Sequence, residues 1–332
     1  FPYTTLFRSN WQAPQATYPG QGKLVIFNAN NLILRDTVLR VASGTVSAAG
    51  QLINRRWQAD VQANRIRLGR LTEVPPSLQS PVSGFLKLSG SADSFQPEQI
   101  SATGFGQLTG IGGGTITASN ILVGSGRWQT QLQAKGVQLQ RLAAVPPQLR
   151  GDLTGRFNLS GTTTAFTPKT IRATGQGRLN NIAGGTVTAS NIQLASGQWQ
   201  LALNASQVQL SRFNQQLKGQ LNGLLKLAGT VDAFSPAGIR AAGTVRFSKE
   251  LIGQPLTANL RWDGDNLIIP QATSPNLFAS GIVGVDTSQG VSISGLNFNL
   301  RVQDYDLQDV PLQLPNGANV AGRANFSGQI RG

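Results

Sequence analysis

Neither cysteine nor histidine occurs anywhere in the 332 residues. The first absence excludes a disulfide framework and any cysteine metal site, and it leaves the redox compartment undefined. The second removes the commonest general base, nucleophile partner and metal ligand together. Methionine is missing as well; without a start residue, the chain reads as a fragment of a longer protein. Acidic side chains are scarce, with 14 Asp and Glu against 28 Lys and Arg, a net charge of +14. No apolar run approaches the roughly 18 residues that a membrane-spanning helix needs. Apolar residues at helical i, i+3, i+4 spacing are also missing, so almost no helix is expected.

What the chain has is repetition. Gly114-Thr115-Ile116-Thr117-Ala118-Ser119-Asn120-Ile121 returns as Gly185-Thr186-Val187-Thr188-Ala189-Ser190-Asn191-Ile192, and Gly44-Thr45-Val46-Ser47-Ala48 is an earlier start. Trp57, Trp128 and Trp199 follow one another at 71 residues, and Phe95, Phe166 and Phe234 at 71 and then 68. Pro75-Pro76 recurs as Pro146-Pro147. A fixed period of this length signals a repeat architecture. Length alone suggests two domains, but stacked repeats form one continuous body instead.

Each copy divides into about four strand-length pieces. The second opens at the tryptophan, and its apolar residues alternate, placing Trp57 and Val61, Trp128 and Leu132, and Trp199, Leu201 and Leu203 on one face. The phase then slips by one in every copy, at Ile66, Val137 and Val208, which predicts a β-bulge and added twist. The third piece contributes Leu86 and Leu88, then Leu153, Phe157 and Leu159, then Leu221, Leu225 and Leu227. The fourth contributes Ile100, Ile171, Ile239, Val245 and Phe247. Gly84, Gly155 and Gly223 sit mid-strand on the apolar face, where glycine permits a sharp bend. The expected fold is all-β: an elongated, repetitive antiparallel sheet, about four strands per repeat of ~71 residues, curled into a taco-like groove with an apolar interior.

The segments follow. Residues 1–9 look like a translated sequencing-adapter scar and are set aside. Residues 10–43 end a preceding repeat, with strands near 23–27 and 32–41; 44–113, 114–184 and 185–253 are repeats one to three; 254–332 is a divergent continuation. Within the last segment Asp263-Gly264 marks a tight hairpin turn. The Phe-x-Pro units at 95–97, 166–168 and 234–236 suit a turn or a protected edge.

Little here carries bond-making chemistry. Asp263 and Asp265 could ligate calcium, but a turn explains them. Asp304, Asp306 and Asp309 could pair for metal or acid–base work, yet a solvated strand end fits better. The run Gly110-Ile111-Gly112-Gly113-Gly114 lacks the Lys-Ser/Thr ending and the helix that phosphate loops use, and reads as a turn. Cations such as Arg65, Arg67, Arg70, Arg127, Lys135, Arg141, Arg172 and Arg178 are dispersed. They read as a solvated face, with attraction to anionic headgroups or another acidic surface as the sharper alternative. No stripe or stacking platform for nucleic acid is visible. The tryptophans read as core or groove lining. A non-enzymatic protein without cofactor or metal is expected.

The units Gly126-Arg127-Trp128-Gln129 to Leu132, Leu153 to Gly161 with its counterpart Leu221 to Gly229, and Ile171 to Gly175 with its counterpart Ile239 to Gly243 resemble the TamB family. That family comprises the inner-membrane-anchored components of the translocation and assembly module, among the AsmA-like repeating β-groove proteins; the similarity is greatest to cyanobacterial and chloroplast-envelope members. The resemblance covers nearly everything after Ser9. It implies a bridge in the periplasm or cell envelope, anchored in the inner membrane by a part outside this fragment, with an outer-membrane barrel of the Omp85 family docking at the far end. Phospholipid acyl chains would travel in the apolar groove, lined by the twenty apolar residues named above from Trp57 to Phe247. At about 4.8 Å per strand, three repeats and their flanks would reach on the order of 80 Å. The alternative is a scaffold for outer-membrane protein assembly or secretion that receives partner β-strands.

Overall fold

The structure, a computed structural model, describes residues 7–71, 79–94, 96–142, 150–165, 167–215, 217–233, 235–286, 292–309 and 321–332. The landmarks Phe95, Phe166, Phe234, Pro75-Pro76 and Pro146-Pro147 lie outside the described residues, as do residues 1–6 of the suspected leader. Three strands precede the first repeat: β1 (Phe7–Ala13), β2 (Gly20–Asn28) and β3 (Asn31–Val41). Phe7, Arg8 and Ser9, set aside with the leader, pair with Ile26, Val25 and Leu24 of β2.

Each repeat then supplies four strands. They are β4 (Gly44–Ile53), β5 (Arg56–Arg67), β6 (Pro81–Ser91) and β7 (Ser101–Ile111); then β8 (Gly114–Gly124), β9 (Arg127–Gln138), β10 (Asp152–Thr162) and β11 (Arg172–Ile182); then β12 (Gly185–Ala195), β13 (Gln198–Gln209), β14 (Gln220–Thr230) and β15 (Arg240–Phe247). The divergent segment adds β16 (Leu256–Trp262), β17 (Asn266–Ser274), β18 (Leu277–Asp286), β19 (Ser292–Asp306) and β20 (Arg323–Arg331). All twenty belong to one open antiparallel sheet that does not close into a barrel. From β1 to β10, and again from β12 to β20, each strand pairs with the next in sequence. Among the described residues the helical segments are single three-residue 3-10 turns.

Contacts divide the chain into two compact units, with the boundary inside β11. Unit 1 is Phe1–Val145 with Asp152–Thr174, and unit 2 is Pro146–Gly151 with Gly175–Gly332. In a meander the contacts are local in sequence, so a long repeat array need not cohere as a single unit. Only fourteen apolar side chains are buried among the described residues. A sheet with one face packed on a second layer buries alternate residues of every strand. This sheet does not.

The buried residues concentrate where the phase slips. In β5, β9 and β13 two residues oppose one on the neighbouring strand, between Ala63 and Ile66, Ala134 and Val137, and Ala205 and Val208. The second extra residue has positive φ each time: Arg65 at 54°, Gly136 at 61° and Gln207 at 55°. Its N–H leaves the ladder, and the polar residue directly opposite accepts it. Arg65 donates to Ser83 Oγ at 2.9 Å, Gly136 to Thr154 Oγ1 at 3.5 Å and Gln207 to Asn222 Oδ1 at 2.9 Å. The slip turns the next apolar residue into the best-buried position of its strand, with Ile66 5%, Val137 1% and Val208 6% exposed. In unit 1, Val137 packs with Ile111 and Ala134 against Leu108, Ile116, Leu142 and Leu153.

This device predicts a matched pair of effects. Asn222→Ala removes the acceptor for a strand N–H and costs about 1 kcal/mol in urea denaturation. Gln207→Gly relieves the left-handed backbone and gains about 0.5–1 kcal/mol. A Gln207→Gly variant no more stable than wild type would show that the bulge is not strained.

Candidate functional site

Cross-strand register turns the alternating residues into rows. In unit 1 one row runs through Ala48, Val61, Leu86 and Gly104, and another through Ala63, Gly84, Gly106, Ala118, Leu132 and Phe157. In unit 2 Leu201 pairs with Leu227, Leu203 with Leu225, and Leu221 with both Val208 and Phe247. Because paired residues in a ladder share a face, each unit carries an apolar face continuous over its paired strands.

Of the twenty residues expected on that face, nineteen are half-buried: Trp57, Val61, Leu86, Leu88, Ile100, Trp128, Leu132, Leu153, Phe157, Leu159, Ile171, Trp199, Leu201, Leu203, Leu221, Leu225, Leu227, Ile239 and Phe247. Val245 differs. It is 1% exposed and belongs to a closed cluster with Ala258, Ala272 and Ala279, so it does not line an open surface. The apolar residues therefore fall into two groups, a buried seam beside the bulges and a partly exposed face between seam and tryptophans.

The tryptophans have a more specific placement than groove lining. Trp57, Trp128 and Trp199 stand opposite Gly90, Gly161 and Gly229. Each ring lies so close to its glycine that an added Cβ would come within 2.8, 2.9 and 2.7 Å of ring atoms. The indole N–H then donates to the carbonyl of Ser91 at 3.2 Å, Thr162 at 3.1 Å and Thr230 at 3.3 Å, the residue after each glycine. This is aromatic cover of a strand glycine, and it fixes one end of each repeat's second hairpin.

The sheet of unit 2 curls strongly at its other end. The Tyr305 hydroxyl of β19 donates to the Ile252 carbonyl in the connection between β15 and β16. Three strands lie between, on the order of 15 Å or more in a flat sheet, which is beyond the reach of one side chain. A polar chain reinforces the curl: Ser274 Oγ donates to Gln254 Oε1 at 3.1 Å, Gln254 Nε2 to Asn276 Oδ1 at 3.3 Å, and Asn276 Nδ2 to the Gln303 carbonyl at 2.9 Å.

The second face is polar but not uniformly so. Phe85 and Phe105 pair on it with ring centroids 6.3 Å apart, and Leu224 is 64% exposed there. Arg65, Arg67, Arg70, Arg127, Lys135, Arg141, Arg172 and Arg178 are all exposed.

The acidic candidates are occupied locally. Asp263 Oδ1 accepts the N–H groups of Asn266 at 2.9 Å and Asp265 at 3.2 Å, which hold its carboxyl below the usual carboxylate range. Asp304 is held low by its hydrogen bond and ion pair with Arg323, and Asp306 accepts from the Gln308 N–H at 2.9 Å. Among the described residues no three acidic side chains gather to hold a metal. The glycine run forms the β7–β8 turn, with Gly110, Gly112 and Gly113 at positive φ; the Gly112 carbonyl accepts from the Gln138 N–H at 3.0 Å.

Strand periodicity does not mark Ser83, Thr154 or Asn222. The signal that does is a polar residue recurring opposite the phase slip. Likewise the Ser-Asn of the repeated octapeptide is explained by a second bulge in β8 and β12, where Asn120 and Asn191 have φ of 50° and 51°. Asparagine tolerates that conformation better than most residues.

No family model matches the chain. Comparison with curated proteins gives no match, and comparison with solved structures gives none.

Proposed function

We propose that this chain is a non-enzymatic segment of a TamB-type intermembrane bridge, carrying phospholipid acyl chains along its apolar face between the inner and outer membranes. In that setting it works in the periplasm or cell envelope, with an Omp85-family barrel at the outer end and the inner membrane at the other. The observation that carries the reading is the half-buried apolar face of each unit. Its side chains are packed sideways against their strand neighbours, yet they keep surface for a guest.

A methylene leaving water for such a surface gains about 0.8 kcal/mol. Rows of similar residues on successive strands offer that gain repeatedly, so an acyl chain can shift along the face without a deep minimum to hold it. No bond is made or broken, and the absence of histidine and cysteine costs such a function nothing.

Native mass spectrometry with lipid extraction tests the reading. The chain is expected to carry phospholipid near one or more equivalents and to release it on denaturation. A triple variant, Leu132→Glu, Phe157→Lys and Leu203→Glu, places opposite charges at the paired positions 132 and 157. It should stay folded and lose the lipid. A folded wild-type chain with a clean apo mass would overturn the proposal in favour of a scaffold that binds partner strands.

A further inference from the structure

The polar face of unit 2 carries a dish of about 620 Å³. Its floor is three alanines on adjacent strands, Ala202 of β13, Ala228 of β14 and Ala242 of β15, and its walls include Lys226, Arg240 and Arg261. Register fixes the layout. Lys226 pairs with Ala202 on one side and Ala242 on the other, and Ala242 pairs in turn with Arg261. Lys226 and Arg261 thus flank Ala242, their backbones two strand spacings or about 10 Å apart. Arg240 lies two residues along β15 from Ala242, hence on the same face. Its guanidinium is steadied by Nη1 donating to the carbonyls of Ala237 at 2.8 Å and Ile239 at 3.0 Å. Asp263 also lines the dish; its carboxylate accepts two backbone N–H groups and stays ionised, partly through the nearby Arg240 charge, so three cations face one acid.

The other repeats supply an internal control. Depressions of about 740 and 810 Å³ in repeats one and two lie nearer the strand ends, against Trp57 and Trp128. In those repeats the sequence positions of Ala202, Ala228 and Ala242 hold Asp60, Ser89 and Thr103, then Gln131, Ser160 and Thr174. Asp60 stands directly opposite Lys87, the counterpart of Lys226. The third repeat keeps the lysine, removes the acid facing it and clears three polar side chains from the floor. It has Arg240 where the first repeat has Ser101 and the second has Arg172, Arg261 where the first has Leu122, and Asp263 where the first has Gly124. These positions therefore hold three cations and one acid in the third repeat, against one of each in the first.

We propose that the dish binds a phosphate group, as the free ion or as the phosphodiester of a lipid headgroup. The arginine forks match phosphate oxygens in pairs, the lysine adds a point charge, and the methyl floor leaves room for the anion without offering it a competing partner. Leu201 and Leu227 also border the dish, but Lys226, Arg240 and Arg261 alternate to the face opposite the apolar rows, so anion binding by them does not depend on the acyl-chain reading.

The test is isothermal titration of the full chain with inorganic phosphate and, separately, with short-chain phosphatidylglycerol below its micelle concentration. Vesicle flotation then compares pure phosphatidylcholine with a phosphatidylglycerol mixture. Ala202→Asp restores the acid of repeat one and Arg261→Gln removes one fork. Each should weaken binding about tenfold or more, while Lys87→Gln should leave it unchanged. Should Ala202→Asp fail to fold by circular dichroism, Arg261→Gln decides. Binding of inorganic phosphate as tight as the lipid identifies a free-phosphate site. Tighter binding of the lipid, with flotation that depends on Arg261, identifies a headgroup site. No titratable binding of either probe overturns the proposal. So does binding unaffected by Ala202→Asp and Arg261→Gln, or weakened equally by Lys87→Gln.

Discussion

Replacing Gly243 by alanine is expected to destabilise unit 2 by about 3 kcal/mol or more, whereas Gly106→Ala leaves the chain as stable as wild type or slightly more so. A Cβ on Gly243 would sit 1.9 Å from the Leu224 carbonyl oxygen and 2.8 Å from the Leu225 Cα, both backbone atoms of the adjacent strand. Backbone cannot swing aside as a side chain does, so the two strands must part. Gly104, its counterpart in repeat one, is equally confined, with a Cβ 2.0 Å from the Phe85 carbonyl oxygen. The glycine of the Ile-x-Ala-x-Gly unit is thus a steric requirement of close strand approach. Gly106 is two residues further on, and there the nearest atom is 3.8 Å away. Repeat three has Val245 at the matching place, so a side chain is already accommodated. Urea denaturation followed by circular dichroism reads both variants. Equal stability of the two would show that strand approach does not control the fold.

The second large effect separates seam from face on a single strand. Val137→Asp should cost about 4 kcal/mol or more, because it puts a carboxylate with no partner into a position that is 1% exposed. Leu132→Glu, five residues earlier on β9 and half-buried, should cost no more than about 1 kcal/mol, since its carboxylate reaches water. The difference matters beyond stability. A charge on the face that leaves the fold intact can be interpreted in a lipid-binding experiment, and a charge in the seam cannot. If both variants unfolded alike, the apolar face would be a closed core, and the proposed function would fail with it.

Much of this was legible in the residues. The 71-residue period, the four strands per repeat, the phase slip after each alanine and the Asp263-Gly264 hairpin all have counterparts in the structure, because alternation and turn chemistry are local. What local pattern could not supply is what lies across the strand. Trp128 alternates in phase with Leu132 and reads as lining, but its ring rests on Gly161, 33 residues away in sequence. Val245 fits the apolar alternation as well as Leu225 does, yet lateral neighbours bury it because Gly223 and Ala258 beside it let the sheet close around it. The mid-strand glycines suggest a bend, but which of them permits contact depends on the register. The charge on the polar face looks dispersed along the chain, and only the register gathers Lys226, Arg240 and Arg261.

The bulge also has a counterpart in the divergent segment, beyond the last copy of the repeat. In β19 the ladder slips between Val302 and Tyr305. Asp304 has φ of 54°, its N–H donates to Asn325 Oδ1 at 2.8 Å, and Tyr305, in the position of Val137 and Val208, is buried. Arg65 and Gly136 lie 71 residues and four strands apart in unit 1, whereas Gln207 and Asp304 lie 97 residues and six strands apart in unit 2. The difference is one hairpin. An antiparallel sheet admits only even increments here, because an odd strand would send the next bulged strand the other way and carry its kink to the opposite margin. Growth of such a protein is therefore quantised: it lengthens by whole hairpins, each widening the sheet by about 10 Å. Sequence landmarks can erode between one addition and the next while the parity of the strands is kept.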